Sequence, residues 1–301
     1  MIKKVVVTGG SGFIGKYVCE NLQARGIEVV TFDHRKNQDT TIGHFLGDIK
    51  SYTDVSEAVA LSDGIIHLAG VLGTQETVYE PLPAIETNIL GGLNVFKAVR
   101  HYNVPAVYIG VGNHWMNNSY SISKTTAERF ALMFNKEHKT RIAIVRGLNA
   151  YGPRQKSFPV KKIMPNFVLP ALKGETITIY GDGTQKMDMI YVEDLADILV
   201  RALIVEHGIY NKVFEAGTGY APTVNEIAQE VINQVKSGKI EHTEMRPGEI
   251  VGDTVIGNPE TLRPLYDNNL PHFTSLKDGI TETISYYRNP AEYEKEKERT
   301  K

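Results

Sequence analysis

The run Lys3-Lys4-Val5-Val6-Val7-Thr8 leads directly into Gly9-Gly10-Ser11-Gly12-Phe13-Ile14-Gly15, and a helix-forming stretch follows. A buried strand, a glycine-rich turn and a helix in that order constrain the fold more than any other feature of the chain. Glycines there permit a tight turn, let backbone N–H groups approach a pyrophosphate, and allow helix and strand to pack closely. The string satisfies both GxGxxG and GxxGxxG. A second strand ends in Asp33, at the spacing where a carboxylate meets an adenosine ribose 2′-hydroxyl. A carboxylate repels a 2′-phosphate, so Asp33 points to NAD. Arg35 is of the type that accepts a 2′-phosphate, but reads here as a solvated loop residue. Asp48-Ile49 follow a third strand, where a carboxylate is placed to hold the adenine amino group.

The same alternation continues. Short apolar runs at 28–32, 64–68, 106–109 and 141–146 read as strands covered on both faces, as in a parallel sheet. Helical patterns at 15–23, 52–61 and 83–101, and from Tyr120 onward, lie between them. This predicts an α/β fold: a Rossmann doubly wound parallel sheet with a smaller C-terminal α/β substrate domain. After Tyr151 the stretch YGPRQKSFPVKKIMP is rich in Pro, Lys and Gly and reads as a linker or binding loop. A helix at 166–172, a strand at 176–180, a helix at 192–204 and a strand at 212–216 follow. The expected organisation is a dinucleotide-binding domain over 1–150, rejoined by 188–216, and a substrate domain over 151–187 and 217–288. A charged tail occupies 289–301.

Composition removes several function classes. Lys plus Arg (33) against Asp plus Glu (35) gives −2, so neither nucleic acid nor an anionic membrane is an expected partner. No run approaches the roughly 18 apolar residues of a membrane span, and MIKKVVVTGG lacks the longer apolar stretch of a secretory signal. The single cysteine, Cys19, forms no internal disulfide, and cytoplasm is the expected compartment. Nine histidines are scattered without an HxxxH or CxxC pair, so no metal is expected.

Tyr120 and Lys124 stand four residues apart at the start of a helix and therefore share a face. An ammonium beside a phenol lowers the phenol's pKa, and a phenolate near neutral pH serves as a general base toward a hydroxyl. With this pair in view, the chain resembles the extended short-chain dehydrogenase/reductases, in their NAD-dependent epimerase/dehydratase branch typified by UDP-glucose 4-epimerase. The motifs that carry the resemblance are TGGSGFIG (8–15), HLAG (67–70), NILGGLNVFKA (88–98), YSISK (120–124), RGLNAYGPRQ (146–155), ITIYGDGTQKMDMIYVEDLA (177–196), FEAGTG (214–219) and RPGE (246–249). They occur in family order and cover the chain to about residue 288.

The resemblance implies a role for each matching position. Gly9, Gly12, Phe13 and Ile14 line the pyrophosphate, and Asp33 holds the adenosine ribose. Asp48 and Ile49 flank adenine; Leu68, Ala69 and Gly70 pass under the cofactor, with Asn88 beside them. Tyr120 is the general base, and Lys124 tunes it and holds the nicotinamide ribose. Asn149 and Arg246 meet the substrate diphosphate, and Thr178 and Tyr180 stand beside the nucleotide base. The implied reaction is epimerisation at C4 of a nucleoside-diphosphate hexose, UDP-linked, through a 4-keto intermediate. A reductase, decarboxylase or dehydrogenase on the same scaffold is the alternative, and a weakened dinucleotide-binding sensor is a third. A homodimer through the helices at 88–101 and 120–137 is also implied.

Two positions depart from the family. Gly110-Val111-Gly112 stand where a catalytic Ser or Thr is usual, leaving Asn113, Ser119 or Thr74 as candidate donors to the 4-oxygen. Asn113-His114 replace the Asp-Glu pair of a 4,6-dehydratase, which disfavours dehydration. Met187 stands where an arginine usually meets the diphosphate, leaving Lys161, Lys162 or Arg154 to substitute.

Overall fold

The computed structural model describes residues 2–35, 41–158, 160, 162–205, 209–210 and 212–289. The apolar runs form strands β1 (Lys4–Thr8), β2 (Glu28–Asp33), β3 (Gly43–Leu46), β4 (Gly64–His67), β5 (Ala106–Val111) and β6 (Ile142–Gly147). Further along lie β7 (Asn149–Tyr151), β8 (Thr176–Tyr180), β9 (Lys186–Met187), β10 (Met189–Tyr191), β11 (Val213–Ala216), β12 (Lys239–Thr243) and β13 (Thr254–Val255). The helices are α1 (Phe13–Ala24), α2 (Tyr52–Ala60), α3 (Thr74–Tyr79), α4 (Leu82–Ala84), α5 (Gly92–Tyr102), α6 (Ser119–His138), α7 (Ile163–Leu172), α8 (Val192–Ile204), α9 (Val224–Val235) and α10 (Leu276–Arg288).

Seven strands form one parallel sheet in the order β11-β6-β5-β4-β1-β2-β3. Residues on both faces of its central strands are buried, which explains their unbroken apolar character. One face packs Val18 and Leu22 of α1 with Leu195 and Leu199 of α8. The other packs Val55 of α2, Phe96 of α5 and Ala127 and Phe134 of α6. Each fully buried Leu or Phe of this kind contributes roughly 1.5–3 kcal/mol. The strand order reverses between β1 and β4, so their C-terminal ends open a crevice at which ligands bind in such sheets. The register places Thr8 level with Phe32 on one side and His67 on the other.

A third core holds Tyr151, Met164, Phe167, Ile177, Tyr191, Ile227 and Ile284 together. It is built on the short parallel pairs β7–β10, β8–β12 and β9–β13 and on α7, α9 and α10. The strand near 212–216 runs from Val213, and β11 lies at the edge of the main sheet beside β6. No helix among the described residues is long and apolar enough to cross a membrane. The expected tail at 289–301 falls outside the described residues beyond Asn289.

One element differs in kind from its sequence pattern. The helix expected over 83–101 is interrupted by a π-helical segment, Ile85–Gly91, between α4 and α5. Apolar spacing over so short a stretch does not distinguish a wider turn from an α-helical one. Such turns recur at functional sites.

Candidate active site

The glycine turn is shaped by contacts that exclude side chains. Gly9 takes φ 69°, and a Cβ there would stand 2.9 Å from Ala69 N. A Cβ on Gly15 would stand 2.4 Å from Gly9 O, and one on Gly10 2.6 Å from Thr31 Cγ2. Gly12 precedes α1 without a side-chain cap, leaving the first N–H groups of the helix, at Phe13 and Ile14, facing the turn. Ser11 Oγ is buried and has no hydrogen-bond partner among the described residues, as expected of a group reserved for a ligand. Asp33 ends β2 close by, because Gly9 N donates to Phe32 O at 2.9 Å. Its carboxylate accepts from Arg35 N at 3.2 Å and lies 3.3 Å from His34 Nδ1. This donor-rich cradle and adjacent carboxylate fit NAD.

Adenine's expected neighbours are arranged less simply. β3 ends at Leu46, before Asp48, whose exposed carboxylate accepts from Lys50 N at 2.9 Å. Ile49 is buried, its Cγ2 2.9 Å from where Gly91 would carry a Cβ. It belongs to the core that packs the sheet against α2, α5 and α6.

A continuous chain of bonds runs from the turn to the tyrosine. Thr8 Oγ1 accepts from Leu68 N and Ala69 N, each at 3.1 Å. With both lone pairs used, it donates its proton to His67 Nδ1 at 2.7 Å, which fixes the Nε2–H form of His67. Burial, with Lys124 nearby, holds this imidazole neutral, with its pKa lowered to about 3. The segment Leu68–Gly70 then reaches Val71, whose N and O are both bonded by the buried Asn88 side chain, at 2.9 and 3.1 Å. Asn88 Nδ2 also donates to Ser123 Oγ at 2.9 Å, and Ser123 Oγ donates to Tyr120 O at 2.9 Å. The wider π turn is what aims Asn88 at both partners.

α6 begins where Asn118 Oδ1 accepts from Ser121 N at 2.9 Å, which sets Tyr120 in the first turn. Tyr120 is half-buried and Lys124 buried. Their electrostatics differ from the expectation. Lys124 Nζ lies 4.4 Å over the Tyr108 ring, and burial lowers its pKa to about 7, opposed by Glu128. Burial raises the Tyr120 phenol to about 12, so in the protein alone desolvation outweighs any lowering by Lys124. A further positive charge at the site is needed to make Tyr120 a base near neutral pH.

Beneath this pair, Arg146 clasps buried Glu128 through two bonds, Nε–Oε2 at 3.0 Å and Nη2–Oε1 at 2.6 Å. Asp188, fully buried, accepts from Thr218 N and Oγ1, Gly219 N and Gly257 N, tying three loops together. Neither group stands out in sequence. Glu128 offered one signal, its place four residues beyond Lys124 on the same helical face.

Arg246 lies with its guanidinium 4.7 Å over the Tyr180 ring and pairs with Glu249. Burial pushes Lys162 below the usual lysine range, opposed by Glu76 and reinforced by Arg246, which places all three in one electrostatic neighbourhood. Gly248 of the RPGE turn packs on α3, where its Cβ would stand 3.0 Å from Thr74 Cγ2. Thr178 and Tyr180 alternate with the buried Ile177 and Ile179 and so share the outer face of β8. Met187 packs toward the third core, with Lys186 exposed on the other side. Asn149 Nδ2 donates to Asp188 O at 3.0 Å. Of the proposed replacements for the family arginine, Arg154 is drawn to Glu20 at 2.5 Å, Lys162 stays near Arg246, and Lys161 lies outside the described residues. Asn113 donates to Met116 Sδ at 3.1 Å, and half-buried Ser119 is the first residue of α6.

Comparison with known proteins agrees with this architecture. Residues 5–217 match the model of the NAD dependent epimerase/dehydratase family. The chain is 26% identical to a UDP-N-acetyl-alpha-D-glucosaminuronate decarboxylase of Bacillus cytotoxicus, over 96% of this chain and 98% of that one. It is 27% identical to a putative UDP-glucose 4-epimerase of Methanocaldococcus jannaschii, over 95% and 98%. Its structure resembles that of the UDP-glucose 4-epimerase of Thermus thermophilus in complex with NAD, with a TM-score of 0.85, 26% identity, and 95% and 99% coverage.

Proposed function

This chain belongs to the NAD-dependent epimerase/dehydratase family, with NAD as its cofactor, and we propose that it inverts C4 of a UDP-linked hexose. One observation carries the reading: bonds through Asn88 and Ser123 hold Tyr120 in register with the loop that abuts the glycine turn. This bonding supports a reading in which the Tyr120 hydroxyl faces the place where the turn would present a dinucleotide.

NAD, when bound, supplies a hydride acceptor and donor at C4 and a positive ring whose field favours the Tyr120 phenolate. Tyr120 removes the proton of the 4-hydroxyl as the C4–H bond breaks, leaving a 4-keto sugar. Lys124, below its usual pKa, stands on the same helical face to pass or hold a proton. Arg246 and Lys162 hold the diphosphate while the ketone turns its other face, and Tyr120 returns the proton to the new alkoxide. No net oxidation results.

The test is interconversion of UDP-glucose and UDP-galactose by the NAD-loaded protein. Tyr120→Phe should lower kcat by at least about 100-fold, the usual scale of general-base catalysis, while NAD stays bound. A rate within about tenfold of the starting enzyme would dismiss the assignment.

A second reading, oxidative decarboxylation of a UDP-uronate, is favoured by the near full-length similarity to a decarboxylase. It uses the same oxidation at C4 and then loses CO2. Release of CO2 from UDP-N-acetylglucosaminuronate, absent with UDP-glucose, would replace the first reading by the second.

A further inference from the structure

The strip where the family carries a catalytic hydroxyl is filled by packing. A Cβ on Gly112 would stand 2.8 Å from Leu148 Cγ and 3.0 Å from Leu148 Cδ1. On its other side, Leu148 Cδ2 lies 2.6 Å from the place of a Cβ on Gly217 and 2.9 Å from that on Gly257. Three glycines from three separate segments therefore seat one leucine. Gly110 is closed in the same way, since its Cβ would stand 3.0 Å from Glu128 Oε2 and 3.3 Å from Arg146 Cγ.

His114, two residues beyond Gly112, is also committed. Arg146 Nη1 lies 3.4 Å from His114 Nε2, and a guanidinium only donates, so Nε2 accepts. The proton then sits on Nδ1, which donates to Gly112 O at 3.2 Å. Both ring nitrogens of His114 are engaged within the protein.

Leu148 itself is half-buried. It follows β6, and its seat is made by the residues that follow β5 and β11, so it stands at the C-terminal edge of the sheet, where ligands bind. If C4 is the reacting carbon, as in the function proposed above, its flanking substituents are the C3 hydroxyl and the C6 group on C5. Of these, the C6 group is the one that ranges from methyl through hydroxymethyl to carboxylate among sugars that keep the C3 hydroxyl.

We infer that Leu148 is a specificity-determining residue, an apolar wall against the sugar's C6 group that favours methyl, tolerates hydroxymethyl and rejects carboxylate. A wall without hydrogen-bonding partners strips water from a hydroxyl and gives nothing back, and the penalty for a carboxylate is larger. The substrate class is then a nucleoside-diphosphate 6-deoxyhexose.

UDP-6-deoxyglucose, UDP-glucose and UDP-glucuronate differ only at C6. Their kcat/KM values with the NAD-loaded enzyme should fall in that order, with about 10- to 100-fold between the first two, the range by which an apolar pocket discriminates an added hydroxyl. Leu148→Asn, close in volume, should narrow the first ratio at least tenfold, and Leu148→Met should preserve it. Equal values within twofold for the three sugars, a preference for glucuronate, or an unchanged ratio in folded Leu148→Asn would overturn the assignment while leaving C4 chemistry intact. Turnover of none of them, with NAD bound, would instead sink the C4 reading and this inference with it. The wild-type ranking decides the matter even if the asparagine variant does not fold.

Discussion

Lys124 shows how burial sets the character of a single side chain. Its folded pKa, about 7, lies below the ordinary lysine value of 10.5 because desolvation opposes the ammonium. Between those two values the unfolded chain binds a proton that the folded chain does not. The group's contribution therefore falls as pH drops from about 10.5 to about 7 and is level below that. Lys124→Met should remove this slope, making the variant more stable at neutral pH, by something on the order of a few kcal/mol, while lowering kcat about 100-fold or more. Melting temperature against pH for both proteins checks the first part. A slope unchanged by the substitution would show that Lys124 keeps its proton on folding. Burial likewise holds the Tyr120 phenol near 12, so the proposed role as a base requires a positive charge from outside the chain.

At the scale of elements, the π-helical segment Ile85–Gly91 carries more of the site than its length suggests. It turns Asn88 inward, where one amide satisfies Val71 N, Val71 O and Ser123 Oγ. Removing that amide leaves buried backbone groups without partners, a cost of roughly 1–3 kcal/mol. Asn88→Ala should lower stability by that order in a denaturant titration and weaken NAD retention on dialysis. Full retention with unchanged stability would mean that the loop after β4 holds its course without Asn88. α6 is registered at two places, by the Asn118 cap on Ser121 N and by the Arg146 clasp on Glu128.

At the scale of the whole molecule, α6 and the π-helical segment expose apolar side chains that no described element covers. Ile122 is 52% exposed and Leu90 51%. A homodimer through the helices at 88–101 and 120–137 would bury such surfaces symmetrically. If the chain dimerises through these helices, Ile122→Glu should raise the dimer dissociation constant at least tenfold by sedimentation, and a monomeric starting protein or an unchanged assembly would dismiss that interface. What the sequence determined by itself is what depends on local spacing. The glycines between β1 and α1, the carboxylate ending β2 and the four-residue step from Tyr120 to Lys124 are all of this kind. The backbone's own periods and the size of a hydrogen atom decide them. What only the tertiary structure decided depends on segments far apart in the chain meeting in space. Leu148 is seated by glycines following β5, β11 and β13, Arg154 is drawn off to Glu20, and Asn88 is aimed by a turn that periodicity cannot register. Desolvation and close packing are sums over all neighbours, and neighbours are assigned by the fold.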